Sequence, residues 1–279
     1  MAEQCTPPAS WTTIHPDMTG YGRRRYATHM ERNELVSWLD DYLEIAAWPD
    51  SSLNGLQVEG RSEISKVVAS VDASFNSLEL AIARGADIIV VHHGLFWGKE
   101  LPVTGPHKRR LKLLLDNDVS LYAAHLPLDG HQEVGNNWGL ARLLALREIK
   151  GFVDVAGRPL GCKGTFAEPI GLHDLAELIE KELGEQVMVH AGGPDPVSSL
   201  GIVSGGAAWE VVTAANEGLD AFLTGEPKHE TFYESFERGI SSLFAGHYMT
   251  ETVGVKLLAQ KINGEFGLET DFVMLPTGL

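Results

Sequence analysis

Cysteine is almost absent from this chain of 279 residues: only Cys5 and Cys162 occur, in separate regions. That excludes a disulfide framework and a Cys-x-x-Cys zinc knuckle, and it fits a reducing cytosol. Cations are also scarce, with 22 Lys and Arg against 38 Asp and Glu and a formal charge of -16. A surface of that sign repels polyphosphate, so general nucleic-acid binding is excluded. No apolar run approaches the ~20 residues of a membrane helix. No P-loop or Rossmann glycine signature and no Gly-x-Ser-x-Gly elbow is present. Residues 1–29 lack the apolar core of a secretory signal. They are polar, proline-bearing and aperiodic, and residues 1–32 are expected to form a disordered extension.

What is present is 44% hydrophobic residues, enough for a substantial core, in a repeating α/β pattern. Leu35, Leu39, Tyr42, Leu43 and Ala46 recur at helical spacing, predicting a helix from Glu34 with Asn33 as its N-cap. Strands Lys66–Val71, Asp87–Val91 and Val119–Ala123 then alternate with helices Phe75–Arg84 and Lys108–Asp116. A helix over Asn136–Leu146 completes a first lobe, 33–150. The glycine-rich segment Gly151–Glu168 reads as a hairpin or connector. A second lobe, 151–279, holds strands at 186–190, 200–203, 220–223, 241–244 and 269–275 and helices at 172–183, 207–216, 230–237 and 252–262. The expected fold class is α/β, with two similar lobes of mixed, mostly parallel sheets facing a shared cleft. The halves echo each other: Gly85-Ala86-Asp87 enters one strand and Gly218-Leu219-Asp220 its counterpart.

The chemistry sits at strand ends. An apolar strand runs into His92-His93-Gly94, another into His125-Leu126-Pro127-Leu128-Asp129, and a third into Gly246-His247 with Glu251 four residues on. In an open α/β sheet the groups past the carboxyl ends of strands face one crevice. Successive strand residues point to opposite faces, so both histidines reach one cleft only if Gly94 lets the chain turn. His247 and Glu251 share a helix face. Asp129, in a proline-stiffened turn, can bridge two cations. His125 is read as a further ligand, a proton shuttle or a partner that orients a ligand, and Glu226 as a base or orienting group. Imidazole and carboxylate without thiolate suit Zn²⁺, Mn²⁺, Fe²⁺ or Co²⁺ rather than calcium or an iron–sulfur cluster. Two such ions predict polarisation of a substrate and a hydroxide nucleophile near neutral pH. Lys108-Arg109-Arg110 and Arg23-Arg24-Arg25 are solvated faces, although Arg109 and Arg110 are the candidates for holding a triphosphate.

These motifs resemble the Nif-three-like dinuclear metal-centre family, which includes the GTP cyclohydrolase 1 type 2 homologues. The resemblance covers residues 33–279. It rests on Leu53-Asn54-Gly55-Leu56-Gln57-Val58, Val91-His92-His93-Gly94, His125-Leu126-Pro127-Leu128-Asp129, Gly135-Asn136-Asn137, Thr224-Gly225-Glu226 and Gly246-His247 with Glu251. It implies His92, His93, Asp129, His247 and Glu251 as ligands of two divalent transition-metal ions, with His125 close by. It also implies two α/β lobes around the centre and assembly as a toroidal homohexamer. The expected activity is metal-dependent hydrolysis of a small heterocycle or nucleotide in the cytoplasm, for GTP at C8 of the ring, without a membrane partner. The alternatives are a metal carrier or insertase, and an interaction protein that metals merely stabilise.

Overall fold

The computed structural model describes residues 29–279. Most of the expected N-terminal extension therefore lies outside the described residues. Residues 30–32, expected within it, are part of the fold. Strand β1 (Met30–Glu31) pairs antiparallel with β3 (Glu63–Ile64), and helix α1 (Arg32–Tyr42) begins directly after it. Glu31, not Asn33, occupies the N-cap position. The buried Arg32 side chain explains the earlier start, because it reaches the Gly60 carbonyl and the Glu59 carboxylate and so draws residue 32 into the helix.

The first sheet has the order β13-β4-β5-β6-β2, built from β4 (Lys66–Asp72), β5 (Ile88–His93), β6 (Ser120–Ala123), β2 (Gly55–Val58) and β13 (Glu269–Phe272). Only the β2–β6 pairing is antiparallel. Ile88, Ile89, Val90 and Val91 are all buried, as a strand covered on both faces requires. Helices α2 (Phe75–Ala83) and α3 (Gly105–Asp116) make the connections.

The second sheet has the order β7-β8-β10-β11-β12-β9. Strands β10 (Val197–Ile202), β11 (Ala221–Thr224) and β12 (Ser241–Phe244) are parallel, linked by α7 (Val211–Asn216) and α8 (Phe232–Arg238). Antiparallel strands flank them: the hairpin of β7 (Arg147–Val155) and β8 (Arg158–Ile170), and the short β9 (Met188–His190). Helix α6 (Leu172–Leu183) follows the hairpin.

The expected echo of the two halves appears in atomic detail. Gly85 and Gly218 both take positive φ, 80° and 74°. The Asp87 carboxylate accepts from the Ser65 and Lys66 amides, and the Asp220 carboxylate accepts from those of Ser198 and Ser199. Each aspartate, entering the second parallel strand of its unit, ties down the start of the first.

The expected assignment of β13 to the second lobe is corrected, since β13 pairs parallel with β4 in the first sheet. The preceding helix α9 (His247–Phe266) packs with α5 (Asn136–Leu143) between the sheets. A Cβ on Gly139 of α5 would stand 2.5 Å from Val253 Cγ1, so the helices approach at a residue with no side chain. One core runs through both halves, from Leu35 and Val90 to Leu200 and Leu243.

Candidate metal centre

Each expected ligand is delivered by the end of a parallel strand or the helix after it. His92 and His93 are the last residues of β5. They do not need the turn beyond the strand, since their ring centroids lie 4.7 Å apart while both residues remain in it. Gly94 answers to a different constraint. A Cβ there would come within 2.7 Å of Ala123 Cβ and closer still to the Gln57 side chain, whose Oε1 accepts from the Leu95 amide at 2.7 Å. His125 follows β6 and caps the four-residue helix α4 (Leu126–Asp129). His247 opens α9, and Glu251 lies one turn along it.

The polar atoms converge. His92 Nε2 lies 3.6 Å from Asp129 Oδ2 and 3.5 Å from Glu251 Oε1. His93 Nε2 lies 3.3 Å from Glu251 Oε2, and His247 Nε2 3.1 Å from Glu251 Oε1. Two overlapping groups result, His92–His93–His125 and His93–His247–Glu251, each with its ligand atoms within 4.8 Å of one another. All the expected ligands and His125 therefore meet in one place.

Every imidazole is held from behind. His92 Nδ1 donates to the Ala124 carbonyl at 3.0 Å, and His93 Nδ1 meets Asp72 Oδ1 at 2.8 Å. His125 Nδ1 meets Asp50 at 3.0 Å, and His247 Nδ1 stands 3.5 Å from Glu226. This leaves the Nε2 atoms for the centre, the arrangement that fixes the tautomer and orientation of a ligating histidine. Asp129 is held likewise, its Oδ1 accepting from Asn136 Nδ2 at 2.8 Å and Ser204 Oγ at 2.9 Å. The sequence motifs thus acquire roles. Asn136 also accepts from the Gly254 amide, Asn137 accepts from the Ser204 amide, and Asn54 accepts from the His125 amide.

The residues missed from sequence are Asp50, Asp72 and Ser204. Asp50 stands in the turn before Leu53-Asn54-Gly55, and Asp72 ends β4 in register with His93. An acidic residue closing the neighbouring strand was the available signal for Asp72. Ser204 and Asp50 carry none.

Electrostatics bind the cluster. Burial alone would push His92 down, but the Asp129 and Glu251 carboxylates outweigh it and lift the imidazole to about 9. The hydrogen bond to Glu251 lifts His247 to about 9, against burial. Burial would raise Glu251, yet His92 and His247 hold it well below the usual carboxylate range. Asp50 is likewise held low by His125 and Asn54 despite its burial.

The donors fit a metal. His92 Nε2 and Glu251 Oε2 are buried and make no hydrogen bond. A buried polar atom without a partner is costly and calls for an explanation. Ligands ~2.0–2.1 Å from one tetrahedral ion stand about 3.3 Å from each other, close to the spacings found here.

Arg110 lines a cleft of about 330 Å³ that reaches His93, whereas Arg109 is exposed and does not line it. A second cleft of about 230 Å³ opens on His93, Glu226, His247 and Glu251.

Fold and site together define an α/β protein with a buried His/Glu cluster able to hold metal between two sheets. Comparison with known proteins carries this further. The model of the Duf34/NIF3 (NGG1p interacting factor 3) family matches residues 30–277, and the chain belongs to that family. A Deinococcus radiodurans protein, called GTP cyclohydrolase 1 type 2 homolog, is 49% identical over 248 residues, covering 89% of this chain and 94% of that one. A Pyrococcus abyssi protein of the same name is 40% identical, covering 90% of this chain and all of its own length (100%). The crystal structure of TTHA1606 from Thermus thermophilus superposes with a TM-score of 0.82 at 47% identity, covering 90% of this chain and 100% of that one. No helix among the described residues is long and apolar enough to cross a membrane.

Proposed function

We propose that this protein is a metal-dependent hydrolase with a dinuclear centre, acting on a small heterocycle such as a purine nucleotide. One observation carries the reading: His92, His93 and His247, each anchored at Nδ1, turn Nε2 toward the Glu251 carboxylate, whose Oε2 has no hydrogen-bond partner, and the two possible ligand groups share His93. His92, His93, Asp129, His247 and Glu251 would hold two divalent transition-metal ions, with His125 beside them. Such ions, when bound, supply Lewis acidity toward the substrate and acidify water. A structural or cargo site closes its shell, whereas a catalytic one keeps access. The two clefts that open on His93 favour catalysis.

The chain's own groups supply the rest. Trp97 stands edge-on to His125 at 5.0 Å and forms an apolar wall beside the histidines. Its Nε1 donates to the Gly94 carbonyl, which fixes the indole. Glu226 lines the smaller cleft, half-exposed, where its carboxylate can take a proton from water and return it to the opening ring. His125 Nε2, with Nδ1 held by Asp50, is the alternative carrier. For a purine nucleotide the carbon attacked is C8. The names of the Deinococcus and Pyrococcus relatives agree with this substrate class. The same reading places the protein in the cytoplasm as a homohexamer, the assembly that the family resemblance implies.

Screening protein loaded with Zn²⁺ or Mn²⁺ against nucleotides, with products detected by mass, tests the proposal. A hydrated, ring-opened product that disappears with Glu251→Gln supports it. Full metal occupancy without any product across the purine nucleotides overturns the catalytic reading.

A further inference from the structure

In a chain this acidic, the arginines find carboxylates readily. Arg32, Arg61, Arg84 and Arg158 pair with Glu59, Asp87, Asp271 and Glu44. Arg110, on α3, makes no ion pair among the described residues, and its Nε is buried without a hydrogen-bond partner. Arg110 lines the cleft of about 330 Å³, whose other polar lining residues include Ser70, Ser74, Ser77, Asp72 and His93. Ser70, on β4, is 1% exposed, and its Oγ has no partner either. Two residues lining the same cleft, one of them cationic, thus each carry a buried donor without a partner.

The helix end on the remaining wall has the matching sign. Ser74 is the N-cap of α2, its Oγ accepting from the Ser77 amide, so the positive end of that helix abuts the cleft. Asp72, the carboxylate among the lining residues, is engaged by His93 Nδ1. A planar guanidinium, a buried hydroxyl and a helix N-terminus together suit a tetrahedral oxyanion far better than a carboxamide or an apolar group.

We propose that this cleft is a phosphate subsite, in which Arg110 and Ser70 hold a phosphate group of the substrate beside His93. The inference deepens the hydrolase reading and rests on it for the claim that the anion belongs to a substrate. It makes that substrate a phosphorylated one, a nucleotide rather than a nucleoside or free base. Arg110 acts as a binding group here and reaches no reacting atom.

Chelator-treated protein, free of bound metal, separates the two ideas, because phosphate then has no cation to bind. Calorimetric titration with inorganic phosphate, GMP and guanosine should show saturable binding of GMP and, more weakly, of phosphate, with none of guanosine. Arg110→Gln should weaken GMP binding by about tenfold or more, since a charge-assisted contact is lost. Ser70→Ala should weaken it by a few-fold and gives a second reading with little effect on folding. Metal content by elemental analysis should match the parent in both variants. GMP binding that Arg110→Gln and Ser70→Ala leave unchanged overturns the subsite, as does equal binding of guanosine. If the parent binds no metal but Arg110→Gln still loses GMP, the hydrolase reading fails and the anion site stands.

Discussion

Ser204 Oγ donates to Asp129 Oδ1 at 2.9 Å, joining the loop after β10 of the second sheet to the short helix after β6 of the first. The two residues are 75 positions apart, and both are buried. Asp129 therefore has one oxygen held by the protein scaffold, while the other faces His92 Nε2. The carboxylate is aimed by contacts from both halves of the molecule, and this relationship underlies the expectations below.

Protein purified without chelator should carry close to two divalent transition-metal ions per chain. Elemental analysis decides this. Near-zero content with no uptake of added Zn²⁺ or Mn²⁺ would leave the unpartnered His92 and Glu251 atoms unexplained.

Asp129→Asn and Glu251→Gln preserve side-chain size and remove the charge two adjacent cations need. Each should weaken metal retention by about tenfold or more, at least the loss found even for groups that only orient a ligand. His173→Asn should not, because His173 is exposed on α6 and meets only Glu177. Metal titrations of the three variants check this, and parental binding by Asp129→Asn would reduce Asp129 to a turn residue.

Stability should depend on pH with opposite signs in the two metal states. His92 and His247 are raised from 6.5 to about 9, so the folded metal-free protein keeps protons that the unfolded chain releases. That stabilisation is complete below about 6.5 and is lost as pH rises through about 9. Metal competes with the same protons, so its affinity should strengthen over the same interval. Thermal melts of chelator-treated and Zn²⁺-loaded protein across this window should diverge. Parallel curves would mean that these imidazoles do not carry the linked protons.

Gly205→Ala should damage the centre without replacing a ligand. Gly205 has φ of 65°, and a Cβ there would lie 2.3 Å from Glu251 Oε1 and 3.1 Å from His247 Nε2. The left-handed conformation alone costs roughly 1–2 kcal/mol for a residue other than glycine. The melting temperature should fall by several degrees and metal uptake with it. A variant with parental uptake would show that Glu251 can move away at no cost.

Much of the site was legible because strand ends have local signatures. Ile88–Val91 running into His92-His93, and Ser241–Phe244 running into Gly246-His247, mark both a buried strand and its exit. What remained hidden depends on partners distant in sequence. Strand β13 looks like any edge strand, and nothing within Glu269–Phe272 says that it pairs with Lys66–Ala69. Periodicity places helix α9 over 252–262, and only the spacing of His247 and Glu251 points to its true start at His247. Its residues from Tyr248 to Val255 are all buried, so the stripe that marks a half-exposed helix is missing at that end. Asp50 and Asp72 act only through His125 and His93, which the fold brings to them.

The pairing of β13 with β4 also separates the order of synthesis from the order of assembly. While the chain emerges from the ribosome, β4, β5 and β6 are available early, with His92 and His93 already at the tip of β5. The outer edge of β4 stays open until Glu269–Phe272 appears, and an open edge is a template for wrong pairing. Glu251, on the helix that leads to that strand, arrives almost as late. A nascent chain therefore displays an imidazole pair without the carboxylate that completes the cluster, and the group His93–His247–Glu251 comes together only when nearly the whole polypeptide has been made.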